Sequence, residues 1–184
     1  MHLKHPIKLE RLFLRNLEIY DSRSEWKRWL EDSEINRYLE TRFKSYQDNS
    51  LREYLQEMNL SKNNLLLGIF LNSTEEHIGN IKLGSINYQH SHADIGILIG
   101  KKEMWGQGFA SKAIHAMSEY AFNDLALRKL LAGCYDQNIG SIRAFKKVGF
   151  VQEGLMRDHW VGANSQVMDG VLLGCTASDF ESCQ

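Results

Sequence analysis

Apolar positions recur along the chain with two periods, every second residue as in a strand and every third or fourth residue as in a helix. These patterns predict β-strands at residues 7–17, 64–71, 77–88, 93–100, 128–135, 150–161 and 166–174. They predict helices at residues 24–32, 49–58, 107–123 and 139–149. The segment 33–48 is aromatic and charged without a clean period, and is predicted to be a loop or a short helix. This order of strands and helices indicates an α/β protein with a mixed sheet.

Two of the predicted helices carry recognisable end signals. Asn49 or Ser50 is placed as the N-cap of helix 49–58, and Glu53 follows as the acidic partner of a capping box. Helix 139–149 has lysines in its last turn and Gly149 placed as a C-terminal cap. Both signals agree with the helical periodicity of the segments that they bound.

Composition restricts the class of protein and of partner. The chain has 184 residues, 43% of them hydrophobic and 24% charged, and no linker-like or repeated segment, so we predict one domain over residues 1–184. A net charge of −1 argues against nucleic acid or an anionic membrane surface as the partner. Small molecules or a protein terminus fit this charge better, and a homodimer is compatible with it.

The N-terminal segment and the cysteines bear on the cellular compartment. The opening residues carry charges every few positions and contain neither the apolar core of a signal peptide nor a membrane span. Cys134, Cys175 and Cys183 are odd in number and fit no metal-ligand spacing, which indicates reduced thiols. The sequence therefore predicts a cytoplasmic protein without a metal site.

Residues 96–114, GILIGKKEMWGQGFASKAI, pass from an apolar strand through Gly106 and Gly108 into a helix predicted to start near Gln107. The first turn of such a helix has free N–H groups and a partial positive charge that favour a phosphate. Glycine lets a ligand approach the backbone closely. The stretch therefore predicts an anion cradle, with a tight strand-to-helix turn as the alternative.

Two other phosphate-binding motifs fit the same stretch poorly. A P-loop requires GxxxxGK[ST], but Gly96 to Gly100 is one residue short and Lys101 is followed by a second lysine. A dinucleotide fingerprint requires GxGxxG, and Ser111 occupies the place of the third glycine. Neither a nucleotide triphosphate nor a dinucleotide site is favoured.

The stretch WGQGFASKAI, after ADIGILIG and followed by QNIGSIRAFKKVGF, resembles the GNAT superfamily of acetyl-CoA-dependent N-acetyltransferases. The likeness is strongest to the branch with the RimJ/RimL-type ribosomal-protein N-terminal acetyltransferases, and it runs from the first predicted strand to the last. It implies a GNAT fold, in which helices flank a mixed, mostly antiparallel central sheet with splayed strands. It also implies acetyl-CoA as cosubstrate and an amine as acceptor.

The resemblance implies where CoA binds. The superfamily pattern [RQ]xxGx[GA], which cradles the CoA pyrophosphate, maps to residues 105–110, with tryptophan departing at its first place. The splayed strand offers backbone groups to the pantetheine, a serine hydroxyl reaches a phosphate, and an asparagine that can also cap a helix lies beside the pantetheine. The implied cofactor-binding residues are Ile97, Leu98, Ile99, Trp105, Gly106, Gln107, Gly108, Phe109, Ala110, Ser111, Asn138, Phe145 and Lys147.

Acetyl transfer to an amine needs a base for the ammonium and a proton for the leaving thiolate. Asp94 falls where some family members place a catalytic glutamate, and His90 and His92 are alternative bases. Many members use a tyrosine as the acid, but the matching residue here is Phe145. Ser141, one helical turn earlier, is the candidate donor, with water as the alternative.

Aromatic and charged residues from two segments are expected to flank the acceptor if the family architecture holds. A non-catalytic acyl-CoA-binding module is the alternative to an enzyme, and the missing tyrosine is its only support. The expected acceptor-side residues are Tyr38, Glu40, Arg42, Phe43, His159 and Trp160.

Overall fold

The computed structural model describes residues 1–23, 25–43, 50–162 and 165–183, and Asn49, one of the two predicted N-caps, lies outside these ranges. Its strands are β1 (Ile7–Lys8), β2 (Leu12–Asn16), β3 (Leu65–Leu71), β4 (His77–Asn87), β5 (His92–Ile99), β6 (Lys129–Tyr135), β7 (Val151–Val161) and β8 (Val167–Thr176). They form one sheet in the order β1-β2-β3-β4-β5-β6-β8-β7. Every neighbouring pair is antiparallel except β5 and β6, which are parallel. The predicted mixed, mostly antiparallel sheet is confirmed.

Helices pack on both sides of this sheet. They are α1 (Trp26–Glu31), α2 (Ser33–Asn36), α3 (Ser50–Leu60), α4 (Phe109–Asn123), α5 (Ile139–Lys146) and α6 (Ala177–Glu181). Short 3₁₀-helices occur at Ile19–Arg23, Glu40–Phe43 and Lys102–Met104. No helix in the described ranges is long and apolar enough to cross a bilayer.

The two faces of the sheet bury separate apolar clusters. On one face, α4 packs Ile114 and Met117 against the sheet, and Phe145 of α5 joins the same cluster. On the other face, Trp29 of α1 and Leu55 of α3 cover the strands β3 and β4. Burial on both faces explains why β3 reads as a continuous apolar run, LLLGIFL, rather than as an alternating strand.

The structure differs from the sequence prediction at three boundaries. Residues 7–17 form two antiparallel strands, β1 and β2, rather than one, because the chain turns back between Leu9 and Leu12, whose N–H and C=O are joined by a 2.9 Å hydrogen bond. Helix α4 starts at Phe109 rather than near Gln107. The periodicity did not predict α6, which a capping box at Thr176 and Asp179 starts.

Candidate active site

The sheet opens between its two parallel strands. β5 and β6 pair at three positions, the last of which joins Asp94 to Leu131. β5 then continues to Ile99 and β6 to Tyr135, but no further pairing joins them in the described chain. The result is a V-shaped gap with Asp94 at its apex, which matches the splay implied by the family resemblance.

Hydrogen-bond parity shows which backbone groups of β5 face the gap. The N–H of Gly100 donates to the C=O of Ile78 on β4 at 2.9 Å. In an antiparallel ladder this makes Ile99 a non-hydrogen-bonded residue toward β4, so its N–H and C=O point the other way. Ile97 is likewise a non-hydrogen-bonded residue toward β4, whereas Leu98 is a hydrogen-bonded one. Ile97 and Ile99 therefore present backbone groups to the gap, whereas the backbone of Leu98 pairs with β4.

The glycine turn after β5 adopts a conformation that few other residues tolerate. Gly106 has φ 72° and Gly108 has φ 82°, both left-handed, and Gly108 is the N-cap of α4. A Cβ on Gly106 would meet no heavy atom within 4 Å, and one on Gly108 would meet only the hydroxyl of Ser111 at 3.8 Å. The backbone of this turn is open at the N-terminus of a 15-residue helix, as an anion cradle requires.

Side chains of the turn hold it to the strand that precedes it. The indole N–H of Trp105 donates to the C=O of Ile99 at 2.9 Å, so one backbone group facing the gap already has a partner. The hydroxyl of Ser111, which is buried, donates to the C=O of Gly108 at 3.0 Å. Trp105 therefore fixes the position of the turn relative to β5 rather than standing in for the family's first motif residue.

Positive side chains from elsewhere in the chain stand beside the turn. The guanidinium of Arg11 lies 4.5 Å from the ring centroid of Phe109 and donates to the side-chain oxygen of Gln107 at 3.4 Å. In the first turn of α4, the ammonium of Lys112 lies 3.1 Å from a carboxylate oxygen of Glu10. Ala110, in the same turn, is half-buried. These cations add to the helix dipole in favouring an anion here.

Asp94, the candidate base, lies at the apex of the gap. It lies opposite Gly84 on β4 and Leu131 on β6. Partial burial raises the pKa of the Asp94 carboxyl, while the charges of His92 and Lys82 oppose this rise. Because the residue as a whole is exposed, solvent screens the effect. A raised pKa brings a carboxylate closer to the range useful for proton transfer.

The two candidate histidines differ in their positions. His90 is exposed in the β4–β5 turn, where its N–H donates to Asn87 at 2.9 Å. His92 lies on the same strand face as Asp94, two residues earlier, and its Nδ1 is buried without a hydrogen-bond partner. The described residues contain no group of three His, Cys, Asp or Glu side chains that could hold a metal.

The start of α5 brings the candidate acid to the other arm of the gap. The side chain of Asn138 caps α5 by accepting from the N–H of Ser141 at 3.2 Å. The hydroxyl of Ser141 lies 3.4 Å from the thiol of Cys134 on β6, which is buried. Burial raises the pKa of Cys134, so this thiol stays protonated at neutral pH and serves Ser141 as a neutral hydrogen-bond partner.

The remaining predicted residues of α5 lie apart from this hydroxyl. Phe145 is 2% exposed and packs edge-to-face with Phe150, with ring centroids 5.0 Å apart. Lys147 is exposed at the C-terminal end of α5. The position that holds a tyrosine in many relatives is therefore filled here by a core side chain without a polar atom.

The expected acceptor-side residues meet around Tyr135 at the end of β6. The hydroxyl of Tyr135 donates to the carboxylate of Glu40 and accepts from a guanidinium nitrogen of Arg42, the latter at 2.8 Å. The rings of Tyr38 and Trp160 flank it, with centroids 5.7 and 4.6 Å from that of Tyr135. The ring of His159 is tilted by 59° to that of Trp160, with centroids 5.1 Å apart, and Phe43 is 62% exposed. The 3₁₀-helix Glu40–Phe43 is thus fastened to the sheet.

Sequence reasoning missed two residues of this site, Tyr135 and Lys82. Tyr135 ends an ordinary strand pattern, and only the register that puts it on the face of Asp94 gives it a role. Lys82 lies diagonally across from Asp94 on β4, opposite Gly96. The one available signal for Lys82 is that it is the only Lys, Arg, Asp or Glu in the predicted strand HIGNIKLGSINY.

A parallel strand pair that parts beside a glycine turn, with a carboxyl at the apex, defines the class of proteins that bind an acyl-CoA thioester in a sheet. The chain belongs to the GNAT acetyltransferase family, because the family profile described as Acetyltransferase (GNAT) domain matches residues 11–151. Members of this family use acetyl-CoA, and this protein is an N-acetyltransferase of that type.

Similar proteins include characterised and uncharacterised acetyltransferases. The uncharacterized N-acetyltransferase p20 of Bacillus licheniformis is 30% identical over 152 residues, 82% of this chain and 84% of that protein. A spermidine N(1)-acetyltransferase of Vibrio cholerae is 31% identical over 90 residues, 48% of this chain and 51% of that protein. The structure of a spermidine N-acetyltransferase from Vibrio cholerae in complex with CoA and spermine matches with a TM-score of 0.82 at 24% identity, covering 92% of this chain and 98% of that one. This likeness confirms the GNAT fold.

Proposed function

We propose that the protein, as a single GNAT domain over residues 1–184, transfers the acetyl group of acetyl-CoA directly to a primary amine. The observation that carries this proposal is the V-shaped gap, with Asp94 at its apex and the left-handed glycines Gly106 and Gly108 at its mouth. A thioester held along the gap would have its pyrophosphate at the helix N-terminus and its carbonyl near the carboxyl.

In the proposed complex the backbone of β5 binds the pantetheine. Ile97 and the N–H of Ile99 are the groups with the correct parity, so they replace the three-residue set that the resemblance implies. Leu98 contributes through its side chain, which packs in the cluster under α1 and α3. Asn138 is occupied in capping α5, and its amide N–H₂ is the part left for a pantetheine carbonyl.

Asp94 acts as the base in this scheme, directly or through water. An α-amine with a pKa near 7.7–8.0 costs only about 1–1.4 kcal/mol to deprotonate at pH 7, whereas a lysine-like amine costs about 4.6 kcal/mol. A base of modest strength is therefore sufficient for an α-amine. His92, on the same strand face, is the alternative base.

Ser141 relays a proton to the CoA thiolate in place of the absent tyrosine, passing its O–H proton to the sulfur while its oxygen takes up a proton from water. Its hydroxyl lies on the arm of the gap opposite β5 and is held by the thiol of Cys134. A thiol with a pKa near 8.5 is a good leaving group, so a weak donor suffices. This serine, together with Phe145, favours the RimJ/RimL-like branch.

Candidate acceptors are a protein N-terminus and a small amine such as an amino sugar, and the relatives named for spermidine add polyamines to the test. Release of CoA thiol from acetyl-CoA should be measured across N-terminal peptides, amino sugars, amino acids and polyamines, with a parallel titration of acetyl-CoA binding. Turnover of one amine class is expected. Binding of acetyl-CoA without turnover of any amine would favour a non-catalytic acyl-CoA-binding module instead.

A further inference from the structure

Lys82 places a positive charge beside the candidate base, where it opposes the rise that burial causes in the pKa of the Asp94 carboxyl. It is half-buried on β4, and among the described residues no carboxylate lies within ion-pair distance of it. Its Cε lies 2.7 Å and its Nζ 3.4 Å from the point that a Cβ on Gly84 would occupy. Gly84 is the residue directly opposite Asp94. The side chain of Lys82 therefore lies over Gly84, the cross-strand neighbour of Asp94.

The floor beside these two charges includes two glycines, and the amide oxygen of Asn64 lies 3.0 Å from the point that a Cβ on Gly84 would occupy. Gly96 lies opposite Lys82 and two residues after Asp94 on the same face of β5. A Cβ on Gly96 would meet no heavy atom within 4 Å, so the space above it is open. A small molecule can therefore enter between the ammonium of Lys82 and the carboxyl of Asp94.

The other charged groups that the structure describes on this face of the sheet do not form ion pairs with Lys82 or Asp94. Lys129 is already bound to Glu153, with its Nζ 2.7 Å from a carboxylate oxygen. His92 adds an imidazole, and neither it nor Asp94 has a hydrogen-bonded ionic partner in the described chain. A half-buried ammonium that forms no ion pair within the described residues can gain a charge-assisted hydrogen bond from an external anion.

We infer that the acceptor is a zwitterionic amine, in which an anionic group one or two carbons from the amine binds Lys82 while the amine lies at Asp94. Diagonal cross-strand neighbours stand about 7–8 Å apart, which leaves room for an α- or β-amino carboxylate or an aminophosphonate between the two charges. The same ammonium repels the second cation of a diamine or polyamine. This inference rests on the proposed function, since it identifies the acceptor of that reaction.

Matched acceptors test the inference. Initial rates of CoA release should be compared for glycine and glycinamide, for β-alanine and its amide, for 2-aminoethylphosphonate, for a neutral dipeptide amide and for spermidine. The wild type is expected to prefer each anionic acceptor over its amide by about 10- to 100-fold in kcat/KM, the usual effect of one hydrogen bond to a charged group. Equal rates, or a preference for the dipeptide amide or spermidine, would overturn the inference.

Variants at Lys82 locate the preference. K82M and K82Q should bring the ratio close to one by raising the KM of the anionic acceptors, with the KM of acetyl-CoA unchanged, and K82R should retain the preference. Melting temperatures of all three variants show whether each is folded. If folded K82M and K82Q keep the wild-type ratio, Lys82 does not select the acceptor and the inference fails.

A binding measurement separates this inference from the proposed reaction. N-acetylglycine and N-acetylglycinamide are titrated into the enzyme–CoA complex, which requires no turnover. Tighter binding of the anionic compound that K82M abolishes would support the inference even if no amine were acetylated, and in that case the proposed function alone would fail. Equal binding of both compounds would overturn the inference whatever the turnover.

Discussion

The ionised carboxyl of Asp94 is expected to support activity but to lower the stability of the folded protein. Since partial burial raises its pKa in the folded protein, the ionised side chain disfavours folding. The stability associated with its proton is present below the unfolded pKa and is lost as the pH rises through the folded pKa. We therefore expect D94N to lose at least about 100-fold in kcat, as for loss of a general base, without a lower melting temperature at pH 7.

The pH dependence makes this prediction specific. The melting temperatures of wild type and D94N should converge below about pH 3, where the carboxyl is protonated in both the folded and the unfolded state. His90, which is exposed in the neighbouring turn, supplies the control through H90A, for which we expect wild-type activity and binding. A D94N variant that retains wild-type kcat would transfer the role of base to His92 or to water.

The hydroxyl of Ser141 can be removed without disturbing the first turn of α5. The backbone N–H of Ser141, not its hydroxyl, bonds to the Asn138 cap, so S141A leaves that cap intact. If the hydroxyl protonates the thiolate, kcat should fall by about 10- to 100-fold while the KM of acetyl-CoA and the melting temperature stay near wild type. An unchanged kcat would show that water supplies this proton.

The sequence predicted the individual motif residues of the site, but not the contacts between residues that are distant in the chain. Gly106, Gly108 and Ser141 could be placed from spacing because the glycine turn and the helix start are local. Lys82 and Tyr135 are distant in sequence from Asp94, and strand register alone brings them to its face. Register is set by the whole sheet, so a pattern within one strand cannot reveal it.

The turn between β5 and α4 is the element on which cosubstrate binding is proposed to depend. Alanine at Gly106 would place a left-handed φ on a residue with a Cβ, at a cost of about 1–2 kcal/mol. The new methyl group would point into open space, where the proposed pyrophosphate lies. We expect G106A to raise the KM of acetyl-CoA about tenfold or more, a loss of at least about 1.4 kcal/mol in binding.

Gly140 offers a matched control for that substitution. It is exposed within α5, and a Cβ there would meet nothing within 4 Å. G140A should raise the stability slightly, because alanine favours helix by up to about 1 kcal/mol over glycine, and should leave the KM of acetyl-CoA unchanged. Equal KM values in G106A and wild type would remove the turn from the binding site.

The 3₁₀-helix Glu40–Phe43 and the strand β6 form a second functional unit. Y135F removes the hydroxyl that joins Glu40 to Arg42, at a cost of about 1 kcal/mol. We expect the KM of the acceptor to rise several-fold, with the KM of acetyl-CoA unchanged, in steady-state assays with each substrate varied. A rise in both values would mean that the hydroxyl supports the fold rather than the acceptor side.

Elements with a strong period were predicted well, and those defined by tertiary contacts were not. The apolar face of α4 and the strands β3 to β6 stand out in the sequence because they bury long stretches. The turn between β1 and β2 is marked only by a break in the alternation, where Glu10 and Arg11 are two consecutive polar residues, and without glycine or proline this break is a weak signal. The short helix α6 follows β8 directly, and its only signal is the spacing of Thr176 and Asp179.

Across the whole molecule, the helices on the acceptor side are packed onto the cosubstrate turn. Gly100 follows β5, and a Cβ there would lie 1.9 Å from the buried ring of Trp29 in α1. Lys102, two residues later, bonds Asp32 at 2.9 Å and Glu34 at 2.7 Å. The start of the turn is therefore joined by direct contacts to the helices α1 and α2.

This packing predicts a global effect of a single methyl group. G100A should destabilise the protein by about 1–3 kcal/mol, the usual cost of overpacking, and should raise the KM of both substrates. Chemical denaturation and two-substrate kinetics measure these effects. A variant with lower stability but unchanged KM values would show that the turn and the acceptor side are independent.

We expect the gap between β5 and β6 also to link the lifetime of the protein to metabolism. The backbone groups of Ile97 that face the gap have no strand partner among the described residues, and the proposed pantetheine arm would supply one and so complete the sheet. At a concentration 100 times its dissociation constant, such a ligand adds about 2.7 kcal/mol to the free energy of unfolding. Cellular proteolysis of the unfolded chain would then slow when acetyl-CoA is abundant and quicken when it is scarce, so that the amount of enzyme follows the supply of its acetyl donor.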